Sequence, residues 1–383
     1  MRPLPHEAAG SPPITDNHSK TKKRKGLGCA SKTARQKRAG KEVEMDLHGG
    51  MDLHGDNVYC ALMDREYRTV YERRLPNELS TILESLEPYR ERIAELAVES
   101  TYNWYWLVDG LLEHKYATRL ANPAKMQENI GLKNANDKTD ARFLAKQMVM
   151  GVLPEGYIYP KPERSVRDLL RRRARLVHTR TGEWLSLEGL VARHSGQDLG
   201  IQALNGLEDG ELSKLLGNDP LVLQAAQICY RHIAFLDEEV RQIEKVAEGR
   251  VKLVDGYERL LNVPGIGRIL AMTIMLETGP ISRFPGPGNY ASYSRAVKAV
   301  HSSNERKKGE GNSKSGNRYL AWAYVEAANF AVRYSPELRA WYQRKAARTK
   351  RVVALKALAN KLAKACFFIL RDRVDFDVRK LVG

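Results

Sequence analysis

The sequence predicts an α/β domain, then a long helical segment, then a mostly helical and basic C-terminal domain. Three observations predict this order. Between about residues 50 and 155, short apolar runs alternate with helical segments, which is the sequence form of an α/β fold. From about 163 to 250, apolar residues recur at steps of three and four, the mark of amphipathic helices. Beyond about 250, two apolar helical stretches flank Pro264-Gly265-Ile266-Gly267, and a Gly-, Ser- and Lys-rich stretch leads into further helices. With 383 residues, 43% of them hydrophobic, the chain can fill two or three cores.

Residues 1–41 hold almost no large apolar side chains and carry the runs KTKKRK and KTARQKR. Such a segment cannot bury enough surface to offset its ordering entropy, so a disordered basic arm is expected. It reads as a nonspecific phosphate contact, as an imitation of a nuclear-localisation signal, or as a tail of no consequence. In the α/β domain, 42–160, strands are expected at Val58–Met63, Tyr67–Tyr71 and Ala94–Val98, with a short one around Tyr116–Leu120. Leu79, Ile82, Leu83 and Leu86 give an apolar face to a helix over Glu78–Arg92, and a second helix is expected over Tyr102–Glu113. Asn122-Pro123 leads into another.

In the helical region, 161–250, Val166, Leu169, Leu170, Leu176 and Val177 form a narrow stripe amid Arg171, Arg172, Arg173 and Arg175. Ile233, Leu236, Val240, Ile243 and Ala247 follow the same stepping. A helical hairpin, an antiparallel coiled coil and ordinary bundle helices all fit. The C-terminal domain, 251–383, opens on LLNVPGIGRILAMTIMLETG, a helix-hairpin-helix-like segment. Its glycines permit a tight turn that presents backbone N–H groups and a helix N-terminus to a phosphate. Gly265, Gly267 and Arg268 are therefore candidate nucleic-acid contacts, the other reading being a plain turn between packed helices. A helix from Tyr319 to about Val332 and a basic helical stretch from Leu338 to Leu381 complete the domain.

The 63 Lys and Arg against 46 Asp and Glu leave a formal charge of +17, which points to a polyanionic partner, nucleic acid first. No apolar run approaches the roughly 20 residues of a spanning helix, and the N-terminus has no apolar signal core, so a cytoplasmic protein with no membrane partner is expected. Cys29, Cys60, Cys229 and Cys366 are scattered without a CxxC pair or zinc-ligand spacing, which argues for isolated reduced thiols.

Four acids could carry chemistry. Asp52 in GMDLHGDNVYCALMD lies just ahead of a strand-like run, and Glu99 follows the strand-like AELAV, at the carboxyl end where α/β sites gather. Asp137 and Asp140 in NANDKTDARFLA are three apart, on one face of a beginning helix. Such a pair repels itself unless a cation sits between, and four acids from three segments are what two Mg²⁺ ions about 3.5–4 Å apart need for phosphoryl transfer. Both also read as first-turn acids favoured by the helix dipole. Because MDLHGG at 45–50 is nearly repeated as MDLHGD at 51–56, Asp46 competes with Asp52; the strand that follows at once favours Asp52. His54 reads as a metal ligand or, preferably, as a solvent-exposed polar residue. Ser302, Ser303, Ser313 and Ser315 lie among Arg306, Lys307, Lys308, Lys314 and Arg318, a composition that suits a flexible phosphate-binding loop or a serine nucleophile with a base or metal to activate it.

With these residues in place the chain resembles the IS one-ten family of insertion-sequence transposases, related to Piv-like DNA invertases. The resemblance covers about residues 50–372 and rests on GMDLHGDN, AVEST, LANPAK, NDKTDARFLA, NVPGIG, HSSN and GNSKSGNRYL in that order. It implies a RuvC-like (ribonuclease H-like) N-terminal domain with an Asp-Glu-Asp-Asp metal site for Mg²⁺, with Mn²⁺ as a substitute. It also implies a helical coiled-coil insert used in assembly as a dimer or tetramer, and a C-terminal transposase domain. Asp52, Glu99, Asp137 and Asp140 match the four acids, and Ser303, one register from Ser302, matches a serine that attacks the DNA phosphate. Further implications are donor and target DNA as partners, a noncoding RNA made from the element as guide, and a prokaryotic, nucleoid-associated location. The chain departs from the family pattern in the GG-containing string that stands before Asp52 in place of a full apolar strand, in Asn304 where Gly is frequent, and in the basic arm.

Two other readings use the same residues. A structure-selective nuclease would hydrolyse junctions with the four acids alone. A noncatalytic nucleic-acid-binding protein would use only the basic surfaces.

Overall fold

The computed structural model describes residues 35–38, 41–44, 46–123, 126, 137–217, 219–251, 256–297, 300–303, 306–310 and 316–382. The chain divides into two compact units, Met1–Val98 with Asn103–Thr118 and Asn136–Gly151, and Glu99–Tyr102 with Arg119–Ala135 and Val152–Gly383. Most of the expected basic arm lies outside the described residues. Part of its C-terminal end forms β1 (Arg35–Arg38), paired antiparallel with β2 (Lys41–Glu44).

The first unit is built on β3 (Leu47–Leu53), β4 (Asn57–Met63), β5 (Thr69–Pro76) and β6 (Ile93–Glu99). β3 pairs antiparallel with β4 and parallel with β6, and β4 pairs antiparallel with β5. The expected strand at Tyr67 starts later, because Asp64 accepts backbone N–H bonds from Glu66 and Arg68 and folds the chain into a turn that puts Tyr67 at φ +64°. The helix expected to run to Arg92 is α1 (Leu79–Leu86), ended by Pro88 in a following 3₁₀ turn. Next come α2 (Tyr105–Glu113), β7 (Thr118–Ala121), α3 (Asp137–Val149) and β8 (Glu155–Gly156). In the first unit the strand order is β5-β4-β3-β6; β7, mostly of the second unit, pairs antiparallel with β8 of the same unit. The helix expected after Asn122-Pro123 falls mostly on residues outside those described.

α3 packs on β3 and β4 through Ala141, Leu144, Ala145 and Met148, the one-face spacing of an amphipathic helix. Gly50 makes the approach possible. A Cβ at this position would lie 2.0 Å from the carbonyl oxygen of Ala141 and 2.5 Å from the nitrogen of Ala145, so any side chain would have to push the α3 backbone off the strand. Gly50→Ala is expected to cost about 3 kcal/mol, the upper end for an overpacked core site. Urea unfolding measures it as a lower midpoint at unchanged slope; an unmoved midpoint would mean that α3 is free to retreat.

In the second unit α4 (Lys161–Ser195) is followed by two short helices, α5 (Ile201–Leu204) and α6 (Asp209–Leu215), and by α7 (Pro220–Val251). α4 and α7 lie antiparallel, since their pairs run in opposite order along the two helices: Arg173 with Glu244, Arg180 with Asp237, Glu183 with His232 and Trp184 against Tyr230. Of the stripes seen in the sequence, Leu170, Ile233, Leu236, Val240, Ile243 and Ala247 are buried, Leu170 and Ala247 within the C-terminal helical core. Trp184, Leu187, Val191, Ala226 and Ile233 close the far end of the α4–α7 pair with Leu204, Leu212 and Leu216.

The remaining elements are α8 (Tyr257–Leu261), α9 (Arg268–Thr278), α10 (Pro287–Tyr293), β9 (Val300–Ser303), β10 (Arg306–Glu310), α11 (Arg318–Tyr334), α12 (Pro336–Ala346), α13 (Arg351–Asp372) and α14 (Val378–Val382). Their core is a packing of α9, α11 and α13, with Tyr290, Tyr324, Leu362, Cys366 and Phe367 fully or almost fully buried. Burial pushes the Cys366 thiol up to about 12, as it does that of Cys60 in the sheet, and both are inert thiols. Among the described residues no helix is long and apolar enough to cross a membrane.

Candidate metal centre

Asp52 stands ahead of β4, as its sequence suggests, and is itself inside a strand, β3. β3 is flanked on both edges, and the GG string that reads as a break in an apolar strand is the place where α3 comes closest. Side chains alternate along a strand, so Gly50 and Asp52 share the α3 face and the residue two further on, His54, continues it. Asp52 is almost fully buried, 3% exposed.

The first turn of α3 brings the second acid. Glu72 of β5 fastens this turn, binding Lys138 and accepting a 2.7 Å hydrogen bond from Arg142 Nε. The bond from Lys138, helped by Arg142 against the opposing effect of burial, holds the Glu72 carboxyl below its usual range. Asp137 is thereby presented so that its Oδ1 lies 3.3 Å from His54 Nε2, which in turn lies 3.1 Å from Asp52 Oδ2. Asp52, His54 and Asp137 offer one ligand atom each, all within 4.8 Å of one another. Asp140 stands one turn along. Its carboxyl is raised above the ordinary range by burial, then by the charges of Asp52 and Asp137.

This donor set fits a divalent cation. The Asp140 carboxyl, raised by burial and by the charges of Asp52 and Asp137, is short of positive charge, and His54 Nε2 is shut off from solvent without a well-directed hydrogen bond, although two carboxylate oxygens lie close to it. The closeness without alignment is what ligands gathered around a common centre show. Arg92 donates to both oxygens of Asp46, at 3.0 and 2.7 Å, and Asp52 is the one of the two acids that groups with His54 and Asp137. The His54 side chain is 42% exposed, and its proximity to two acids could not be read from spacing, because Asp137 lies more than eighty residues away.

Glu99 is the last residue of β6 and is half-buried. It follows Val98, the register partner of Met51, and is not one of the three grouped residues. Ser303 ends β9 and Ser302 precedes it; β9 and β10 form an antiparallel hairpin with Ser303 opposite Arg306 and Ser302 opposite Lys307. The stretch that composition marks as a flexible loop therefore includes paired strands, and Lys308 belongs to β10. Ser313, Lys314 and Ser315 lie outside the described residues.

Asn317 caps α11, accepting N–H bonds from Tyr319 and Leu320, and Arg318 reaches the Tyr319 hydroxyl. Gly265, at φ +88°, is held for packing: a Cβ there would lie 2.2 Å from the carbonyl oxygen of Ala327 in α11. Gly267 precedes α9 in extended conformation with open space beside it, and exposed Arg268 pairs loosely with Glu248.

Comparison with known proteins agrees with the order of these elements. Residues 49–194 match a family model described as Transposase, the DEDD type of IS110 elements. Residues 257–343 match the model of the transposase IS116/IS110/IS902 family. The chain is 23% identical over 336 residues to a transposase for insertion sequence element IS1111A of Coxiella burnetii, covering 84% of this chain and 88% of the relative. It is 21% identical over 339 residues to a transposase for insertion sequence element IS1328 of Yersinia enterocolitica, covering 85% and 97%. A probable family 20 transposase of Pseudomonas aeruginosa is 23% identical over 332 residues, covering 84% and 96%. Two family models in sequence, one over the acid-bearing sheet and one over the C-terminal helices, together with relatives aligned along most of their length, mean that this chain belongs to the IS110 family of transposases.

Proposed function

We propose that the chain cuts and rejoins DNA strands by metal-assisted phosphoryl transfer, with Asp52, Glu99, Asp137 and Asp140 holding Mg²⁺ (or Mn²⁺) and Ser303 as the nucleophile. The observation that carries this reading is the convergence of Asp52 and Asp137 on one point beside the raised carboxyl of Asp140. A RuvC-like sheet is supported by the antiparallel run β5-β4-β3 followed by parallel β6. When bound, the ion would stabilise charge on the phosphoryl oxygens and the leaving oxygen. In the first step the Ser303 Oγ–H gives up its proton, which passes through solvent water to the departing strand oxygen, and an Oγ–P bond forms. The P–O bond to one DNA strand breaks, and that strand departs as a hydroxyl after taking a proton. In the second step a strand hydroxyl attacks the same phosphorus and Oγ leaves, so the number of phosphoester bonds is conserved and no hydrolysis intervenes.

The basic hairpin strand opposite the serines supports phosphate binding by Arg306, Lys307 and Lys308, joined by Lys314, Arg318, Arg268 and the turn at Gly265 and Gly267. The net +17 charge suits both donor and target DNA and a noncoding guide RNA, with base pairing reading sequence and protein groups holding backbones. Assembly as a dimer or tetramer would use the α4–α7 pair, read as an antiparallel coiled coil, within a cytoplasmic, nucleoid-associated setting. The domain division follows the sequence: an arm to 41, the nuclease domain over 42–160, the helical pair over 161–250 and the transposase domain from 251.

The test is to incubate the full chain with its copurifying nucleic acid, Mg²⁺ and DNA of its own genomic junction. A protein–DNA adduct is expected, and Ser303→Ala should lose both the adduct and rejoined product. Normal cutting by Ser303→Ala with free ends would instead mean a hydrolytic nuclease.

A further inference from the structure

We propose that His54 is itself a ligand to the divalent ion, a nitrogen donor set among carboxylates, and that it raises the affinity of the site for first-row transition ions relative to Mg²⁺. This rests on the reading of the acidic cluster as a metal site. Three observations carry it.

The first is that the backbone of His54 is fixed in place. Its N–H donates to the Asn57 carbonyl at 2.8 Å. Its own carbonyl accepts from two amide side chains, Asn77 Nδ2 at 3.1 Å and Asn103 Nδ2 at 2.9 Å. These bonds come from the β3–β4 turn, the end of β5 and the segment before α2, so the residue just past β3 is held from three sides. Backbone placement of this kind orients a side chain without using it.

The second is the position of the ring. Although the side chain is 42% exposed, Nε2 itself is buried, pointing away from solvent to a spot 3.1 Å from Asp52 Oδ2 and 3.3 Å from Asp137 Oδ1. Ligands at adjacent corners of an octahedron with metal–ligand distances of about 2.1 Å lie about 3 Å apart. The separations are those of neighbouring donors on one ion.

The third is chemical. Mg²⁺ keeps oxygen ligands and several waters and gives up its hydration reluctantly. An imidazole donor favours the later first-row ions, whose affinity for nitrogen sites rises along the series from Mn²⁺. A site of two or more carboxylates and one imidazole therefore still accepts Mg²⁺ but prefers the transition ion.

The experiment uses the full-length protein with Mn²⁺ alone, followed by pulsed electron paramagnetic resonance and by titration. The expected result is a bound Mn²⁺ with ¹⁴N modulation from one imidazole. In His54→Gln the modulation disappears and Mn²⁺ binds at least tenfold more weakly, while Mg²⁺ binding changes much less. Thermal unfolding of His54→Gln without metal checks that the site is otherwise intact, since the three backbone bonds are kept. Bound Mn²⁺ that is weakened by Asp52→Asn but shows no ¹⁴N coupling, with His54→Gln binding as tightly as wild type, would overturn the role of His54 and leave the metal-site reading standing. No Mn²⁺ binding sensitive to Asp52→Asn would overturn the metal-site reading, and this inference with it.

Discussion

Asp52→Asn is expected to lower DNA strand cleavage about a thousandfold while leaving the metal-free fold at least as stable as wild type. If Asp52 holds the ion as proposed, removing it takes away about 4 kcal/mol of transition-state stabilisation, of the order that metal assistance supplies to phosphoryl transfer. Stability should move the other way. Asp52 is buried beside carboxylates, and its charge is one cause of the raised Asp140 carboxyl. A group whose folded pKa lies above its unfolded value favours folding below the unfolded pKa, and that advantage is lost as pH rises through the folded pKa. The metal-free wild type should therefore lose stability as pH climbs through and just above the ordinary carboxylate range. Asp52→Asn removes one source of repulsion, so its melting temperature should fall less over the same window. A variant that cleaves within tenfold of wild type, or that melts well below it, would remove Asp52 from the site.

Glu277→Ala should destabilise the second unit by about 3 kcal/mol. Glu277 is 2% exposed and lies in α9. Its carboxylate accepts two hydrogen bonds from Arg171 of α4 at 2.6 and 2.7 Å and one from Asn317 Nδ2 at 2.7 Å, while its backbone carbonyl takes the Tyr159 hydroxyl at 2.7 Å. Burial alone would pull the Arg171 guanidinium down, but the hydrogen bond and charge of Glu277 lift it above its ordinary value. Removing one member of a buried pair strands the other charge, which costs about 3–5 kcal/mol. The lower figure applies because Arg171 retains about a third of its side-chain exposure and water can reach it. The loss also frees Asn317, the cap of α11, and so loosens the chain just after the serine-bearing stretch. Chemical denaturation would measure the effect. Replacing both partners, Arg171→Met with Glu277→Leu, should recover most of it, since an apolar pair leaves no stranded charge; a drop below about 1 kcal/mol in the single variant would show that the clamp contributes little.

The order of the elements is legible in the local sequence. Alternating apolar runs gave β4 and β6 nearly to the residue, and three-four stepping gave the long helices α4 and α7, because periodicity of burial is a local property of the chain. It also gave Asp52, Asp137 and Asp140 as candidates, since their local patterns were those of acids beside strands and helix starts. Composition did not reveal β3: a strand with two glycines lacks an apolar signal, and only the packing of α3 on Gly50 explains why glycine stands there. Neither could the duplicated MDLHG string tell Asp46 from Asp52. Only the structure shows that Asp46 is bound by Arg92, from a segment forty-six residues away. His54 joins the acids only because β3 and α3 are adjacent in space, and Glu277 is a clamp only because α4, α9 and Asn317 meet around it. Local patterns fix what each segment becomes; long-range packing fixes which charged groups face one another, and it is the pairing of those charges that makes a site.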